Sequence, residues 1–313
     1  MNELHVVFGT GPLGLAVMRE LRRRGKHVRM INRSSRVRFE KDLQTEVGGI
    51  DAADPGRARE VCEGAAVVYH CVGLAYPRWM EFPSIAAGIV EGAASAGAKL
   101  VYADNLYAYG AVDRPMTEDL PLNAATKKGR IRAGIARSLM SAHNAGKVRV
   151  AIGRGSDFFG PFATDAAMMG SRVFGRALAG KSAQAIGDPD RLHTYTFIDD
   201  FGKALVTLGE REEALGMAWH VPSAPATTTR SFVEKIYGEL GKRPKLSTAP
   251  RFAVALLGRF DENVRELLEM LYQFERDFVM DSHRFSSTFG VQATPPDEAI
   301  RQTLEWYSSR SAS

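Results

Sequence analysis

The sequence predicts an α/β fold, a doubly wound parallel sheet with a smaller, mostly helical C-terminal lobe. Three observations predict it. Over the first 160 residues short apolar runs of strand length alternate with helical stretches, the pattern of β-α-β crossovers. The first of these runs ends in Gly9-Thr10-Gly11-Pro12-Leu13-Gly14, a glycine-rich turn at the mouth of a helix. Past Pro161 the alternation gives way to a mainly helical pattern broken by turn residues.

The elements follow in order. Leu4–Phe8 is the first strand, and a helix with Leu13, Val17 and Leu21 on one face follows it, stopped by Gly25. Further strands are expected at His27–Ile31, Ala66–Cys71, Lys99–Ala103 and Arg149–Gly153. Ser84–Ala96 and Ile131–Ala145 read as long helices, the second ended by Gly146. Beyond Pro161 we expect a helix over Ala166–Leu178, a strand over Tyr195–Ile198, a helix over Asp199–Leu208 and a strand over Met217–Val221. Residues 1–160, with 185–210 returning to them, form the expected nucleotide-binding domain. Residues 161–184 and 211–313 form the expected substrate lobe, and only Ser308–Ser313 reads as disordered.

Composition narrows the function classes. Of 313 residues, 45% are hydrophobic and 25% charged, ordinary for a globular chain that builds its own core. The net charge of +5 comes from scattered short clusters, Arg22 to Arg24, Arg33 to Arg38 and Lys127 to Arg132, none interleaved with aromatics as a nucleic-acid surface would be. No nucleic-acid partner is therefore expected. No apolar run approaches the roughly 20 residues of a membrane span, and the opening residues carry no basic leader with an apolar core, so neither membrane nor export is expected. Two cysteines, Cys62 and Cys71, make no disulfide framework and suit a reduced cytoplasm. No His, Cys and carboxylate cluster at ligand spacing suggests a metal.

The glycine turn carries the chemistry. Gly9 permits the tight turn, Gly11 lets a pyrophosphate approach the backbone, and Gly14 allows close helix–strand packing. Thr10, Pro12 and Leu13 complete the loop, and the helix N-terminus behind it offers free N–H groups to phosphate. This is a Rossmann-type dinucleotide site. The end of the second strand then selects the dinucleotide. An acidic residue there would hold a ribose 2′-OH, whereas Asn32-Arg33-Ser34-Ser35-Arg36 brings Arg33 and Arg36 for phosphate oxygens and Ser34 for a further hydrogen bond. NADP(H) is the expected cofactor.

Several further segments resemble the extended and atypical short-chain dehydrogenase/reductases, the NAD(P)-dependent epimerase/dehydratase-like group, in an order that spans nearly the whole chain. Asp51 and Asp54 are similar to that family's acidic turn near the adenine. Val68-Tyr69-His70-Cys71-Val72-Gly73 resembles its strand beside the adenosine ribose, which implies Val72 and Gly73 as cofactor contacts. Leu100 to Asn105 with Tyr109-Gly110 resembles the segment of the active-site Ser or Thr. Arg154 to Pro161 and Thr196 to Asp200 resemble the family's later motifs.

Four departures bear on the reaction. The glycine spacing is G-x-G-x-x-G where the extended family usually has G-x-x-G-x-x-G. The family's Tyr-x-x-x-Lys is missing, since residues 110–194 contain no tyrosine; its positions fall at Lys128 and Arg132, or with a shift at Thr126 and Arg130. Asn105 stands at the Ser/Thr position, and His193 where sugar-nucleotide enzymes of the family place a phosphate-binding arginine. The tyrosine normally passes a proton to the reacting oxygen, which Arg132 cannot do near neutral pH.

The leading expectation is an NADP(H)-dependent reductase of a small or medium organic molecule, with Asn105, Lys128, Arg132 or His193 polarising the substrate. The alternatives are an NAD(P)-dependent epimerase or dehydratase, and a catalytically silent NADP(H)-sensing protein. Pairing of two copies through the Ser84–Ala96 and Ile131–Ala145 helices is a further expectation.

Overall fold

A computed structural model describes residues 3–35, 37, 45–165 and 167–311. The first ten elements include the five strands and three helices expected over this region, together with a strand over Glu46–Gly49 and a helix over Pro55–Cys62, which the sequence reading does not foresee. They are β1 (Leu4–Phe8), α1 (Pro12–Arg23), β2 (His27–Asn32), β3 (Glu46–Gly49), α2 (Pro55–Cys62), β4 (Ala65–His70), α3 (Phe82–Ser95), β5 (Lys99–Asn105), α4 (Lys127–Asn144) and β6 (Arg149–Gly155). The strands form one parallel sheet in the order β3-β2-β1-β4-β5-β6, and Ala218–His220 adds a seventh strand beside β6. Chain order reverses between β1 and β4, and this switch point opens the crevice at the carboxyl ends of the strands.

Both faces of the sheet are covered, which is why β1 and β4 read as near-continuous apolar runs. On one face α1 and the helix Ile198–Glu210 bury Leu15, Met18, Leu21, Leu205 and Leu208 against β1 and β4. On the other, α3 and α4 bury Phe82, Ile89, Ile135 and Leu139. Each such side chain contributes roughly 1.5–3 kcal/mol when fully buried.

Three short strand pairs build the C-terminal region: Asp157–Phe159 with Tyr195–Phe197, Leu192–His193 with Thr227–Thr228, and Ala183–Ile186 with Leu246–Ala249. Asp200 ties the closing chain to the sheet region by accepting hydrogen bonds from the Thr294 amide (2.7 Å) and hydroxyl (2.8 Å).

Two expectations are corrected. The helix expected over Ala166–Leu178 is not continuous: its first residue lies outside the described set, Ser171–Gly175 forms one wide turn, and α-helical geometry covers Arg176–Leu178. The expected disorder from Ser308 is corrected for residues 308–311, which continue the last helix, Pro296–Ser311, while residues 312–313 lie outside the described residues. No helix among the described residues is long and apolar enough to cross a membrane.

Candidate active site

The glycine turn and the loop after β4 meet at the switch point. Gly9 has φ +107°, and a Cβ there would lie 2.4 Å from the Cys71 carbonyl oxygen. A Cβ on Gly14 would lie 1.9 Å from the Gly9 carbonyl oxygen, so the first turn of α1 packs directly on the glycine loop. Gly11 and Gly73 behave oppositely: a Cβ on either would meet nothing within 4 Å. The two loops thus present bare backbone to the crevice. Gly11 is the N-cap of α1, no side chain caps that helix, and no acidic residue occupies its first turn. Free N–H groups at the positive end of a 12-residue helix suit a pyrophosphate. These residues fit a dinucleotide.

At the expected adenosine end, side chains fix the loops. Asn32 closes β2, donates from Nδ2 to the Thr10 hydroxyl (2.7 Å) and accepts the Ser34 amide (2.9 Å). Asn32 therefore shapes the loop, and Arg33 and Ser34 stand exposed beyond it. Arg36 lies outside the described residues. Asp54 caps α2 by accepting the Gly56 and Arg57 amides at 2.8 and 3.2 Å, while Val72 and Gly73 follow β4 half-buried and exposed. Pro12 starts α1 without needing an N–H, and Leu13 packs partly against the core.

The four residues expected to act on substrate are each engaged within the protein. Asn105 ends β5 and accepts the Tyr107 amide at 3.1 Å. Lys128, 1% exposed, donates to the Glu266 carboxylate (2.6 Å), its carbonyl (2.9 Å) and the Glu269 carboxylate (2.7 Å). Arg132 lies among rings, 4.2 Å from the Phe82 centroid and 4.8 Å from that of Trp79, and donates to the Tyr102 hydroxyl at 2.5 Å. His193 stacks between Tyr195 and Phe274 and bonds the Asp157 carboxylate at 2.9 Å. Thr126, the shifted candidate, caps α4.

What gathers instead at the carboxyl ends of β4 and β5 is a set of phenols. The Tyr76 and Tyr107 hydroxyls are 3.1 Å apart, and the Lys128 ammonium lies 4.9 Å from the Tyr76 ring centroid. Burial pushes both phenols well above their ordinary range, so they hold their protons at neutral pH. Nearby, the Tyr272 hydroxyl and the Gln273 amide oxygen are buried with no hydrogen-bond partner in the protein. Buried polar atoms left unsatisfied by the protein call for a water or the polar group of a ligand. Sequence reading passes over Tyr107, whose place two residues beyond Asn105 at a strand end is the available signal. A separate apolar cavity lined by Phe159, Phe197, Phe232 and Lys235 shares no residue with this cluster.

Fold and site together define a Rossmann-type dinucleotide-binding protein. The model of the NAD dependent epimerase/dehydratase family matches residues 6–219, and the chain belongs to that family. No curated protein sequence matches it significantly. Among solved structures it is similar to dTDP-glucose 4,6-dehydratase from Bacillus anthracis in complex with NAD (13% identity, TM-score 0.82, 99% of this chain and 98% of that one). It is also similar to UDP-glucose 4-epimerase from Thermotoga maritima (16%, 0.80, 98% and 99%) and to UDP-glucuronic acid 4-epimerase from Bacillus cereus in complex with NAD (14%, 0.76, 98% and 97%). At these identities the likeness shows the fold.

Proposed function

We propose that the chain is an NADP(H)-dependent reductase of a small or medium organic molecule. The observation that carries this reading is the loop after β2, where Asn32 is turned inward to Thr10, Arg33 and Ser34 are exposed, and the sequence has no Asp or Glu from Asn32 to Phe39. A 2′-phosphate finds a guanidinium and a hydroxyl there, whereas a 2′-OH finds no acidic partner. When bound, the dinucleotide supplies the reducing equivalents. The chain's own part is to seat the pyrophosphate on the start of α1, to hold the acceptor against the phenol cluster, and to exclude water.

Titration of the protein's effect on NADPH and NADH fluorescence tests it. NADPH is expected to bind at least tenfold tighter than NADH, and Arg33→Ala is expected to remove about tenfold of that preference, about 1.4 kcal/mol, with little effect on NADH. Equal binding of the two by the unaltered protein would sink the NADP(H) assignment.

The second reading is an epimerase or dehydratase, in which substrate is oxidised and reduced again in place. Family membership and the named activities of the structural neighbours favour it over the reductase reading. The residues of this chain weigh the other way: His193 is stacked and paired with Asp157, so it offers no free cation to a sugar diphosphate. Stabilisation of the protein by UDP-glucose in a melting experiment would favour the second reading.

A further inference from the structure

We propose that Tyr76 is the proton donor of the reaction, doing from the loop after β4 what the missing tyrosine of α4 would have done. The inference rests on the reductase reading above. Four observations converge on this phenol. Its loop leaves the carboxyl end of β4 through Cys71, whose carbonyl lies against Gly9 of the glycine turn. Its hydroxyl meets that of Tyr107 at 3.1 Å, from the segment after β5. Lys128, at the position of the family's tyrosine, turns away from the role of proton donor, held by Glu266 and Glu269, and sets its ammonium 4.9 Å from the Tyr76 ring centroid. The unpartnered Tyr272 hydroxyl and Gln273 amide oxygen leave unmet hydrogen-bonding capacity in the same region. Phenol and ammonium are thus brought together from different places in the chain.

The step balances as follows. The acceptor carbon gains two electrons and a hydrogen from the reduced dinucleotide, and the attached oxygen gains the proton. The Tyr76 O–H bond breaks, an O–H bond forms on the product, and the phenolate accepts a hydrogen bond from Tyr107. Water returns the proton after the product leaves. Burial keeps the phenol protonated at neutral pH, the form in which a proton donor must enter the step.

The test uses the full chain with NADPH and 9,10-phenanthrenequinone as the acceptor, comparing the unaltered protein with Tyr76→Phe and Tyr107→Phe. We expect Tyr76→Phe to lose at least a hundredfold in kcat, within the usual range for a removed general acid. Its KM and its affinity for NADPH should stay within threefold. Tyr107→Phe, a positioning change, should lose about tenfold and shift the alkaline limb of the pH profile. A readout independent of turnover is the ζ-carbon NMR resonance of 13C-labelled tyrosine, with Tyr76 assigned through Tyr76→Phe. It should move when quinone is added to protein saturated with NADP+, and stay still with NADP+ alone. A Tyr76→Phe protein within threefold of the original kcat, or a Tyr76 resonance unmoved by quinone, overturns the assignment and leaves the reductase reading standing. A protein that binds NADPH yet reduces nothing across a panel of quinones, ketones and activated alkenes overturns the reading, and the assignment with it.

Discussion

Gly11→Ala is expected to leave the protein folded but to weaken dinucleotide binding, whereas Gly14→Ala, three residues on, should damage the fold itself. The contrast follows from what a single methyl group meets. At Gly11 the backbone is extended, with φ −77° and ψ −177°, a conformation alanine adopts freely, and a Cβ has no protein neighbour within 4 Å. Stability should therefore change by no more than about 0.5 kcal/mol. The same methyl stands where a pyrophosphate must approach the start of α1, so NADPH affinity should fall about a hundredfold, or roughly 3 kcal/mol. At Gly14 the Cβ would lie 1.9 Å from the Gly9 carbonyl oxygen and 2.8 Å from its carbon. Backbone cannot yield as a side-chain tip can, and a loss of about 3 kcal/mol or more is expected from displacement of the loop. Thermal melting separates stability from binding, and fluorescence titration measures binding. A Gly11→Ala protein that binds NADPH as the original does would mean that no pyrophosphate crosses Gly11.

The glycine turn was legible because its requirements are local: a strand buried on both faces, a residue needing positive φ, and a helix start. The expected first strand, Leu4–Phe8, coincides with the observed one for that reason. Legibility fell where local signals were weak. β3, with sequence Glu-Val-Gly-Gly, lacks strand propensity and forms through pairing with β2, so it was not foreseen. α4 begins at Lys127 and not at Ile131. Its first turn is Lys127, Lys128 and Gly129, and the signal that starts it is the Thr126 cap. The expected helix over Ala166–Leu178 overlooked how the chain turns after Phe162, which has φ +66°. Contacts between distant parts of the chain could not be read at all. Lys128 and its partners Glu266 and Glu269 are about 140 positions apart, and His193 meets the Gln273 carbonyl 80 positions away at 3.2 Å. The sequence thus located the glycine turn between β1 and α1 and left the state of every expected polar residue open.

Asp104→Asn is expected to be the most destabilising conservative change near the site. The Asp104 side chain is fully buried at the end of β5, and Arg154 donates to it from Nε at 3.1 Å. A second buried guanidinium, Arg132, lies 3.8 Å from its other oxygen. Two cations therefore depend on one carboxylate, and each is expensive to bury without a counter-charge. The network continues outward. Burial depresses the His220 pKa to about 4, so its ring is neutral in the folded protein at pH 7. Its Nδ1–H then donates to the Asp281 carbonyl (2.8 Å), and its Nε2 accepts the Tyr109 hydroxyl proton (2.8 Å). The Tyr109 oxygen in turn accepts from Arg154 at 2.7 Å. Neutralising Asp104 should cost about 3–5 kcal/mol, lowering Tm by about 6–10 °C. The pH dependence has a definite sign. An unfolded His220 binds protons near its ordinary value of 6.5 and the folded one only near 4. Its contribution is whole above pH 6.5 and is lost as pH falls through that window. Melting curves at pH 7.5 and pH 5 should both show the Asp104→Asn deficit, with the original protein itself less stable at pH 5. The double change Asp104→Leu with Arg154→Met removes one cation along with the anion and should recover part of the loss. A single Asp104→Asn protein that melts within 2 °C of the original at both pH values would mean that solvent, and not this carboxylate, balances the two guanidinium groups.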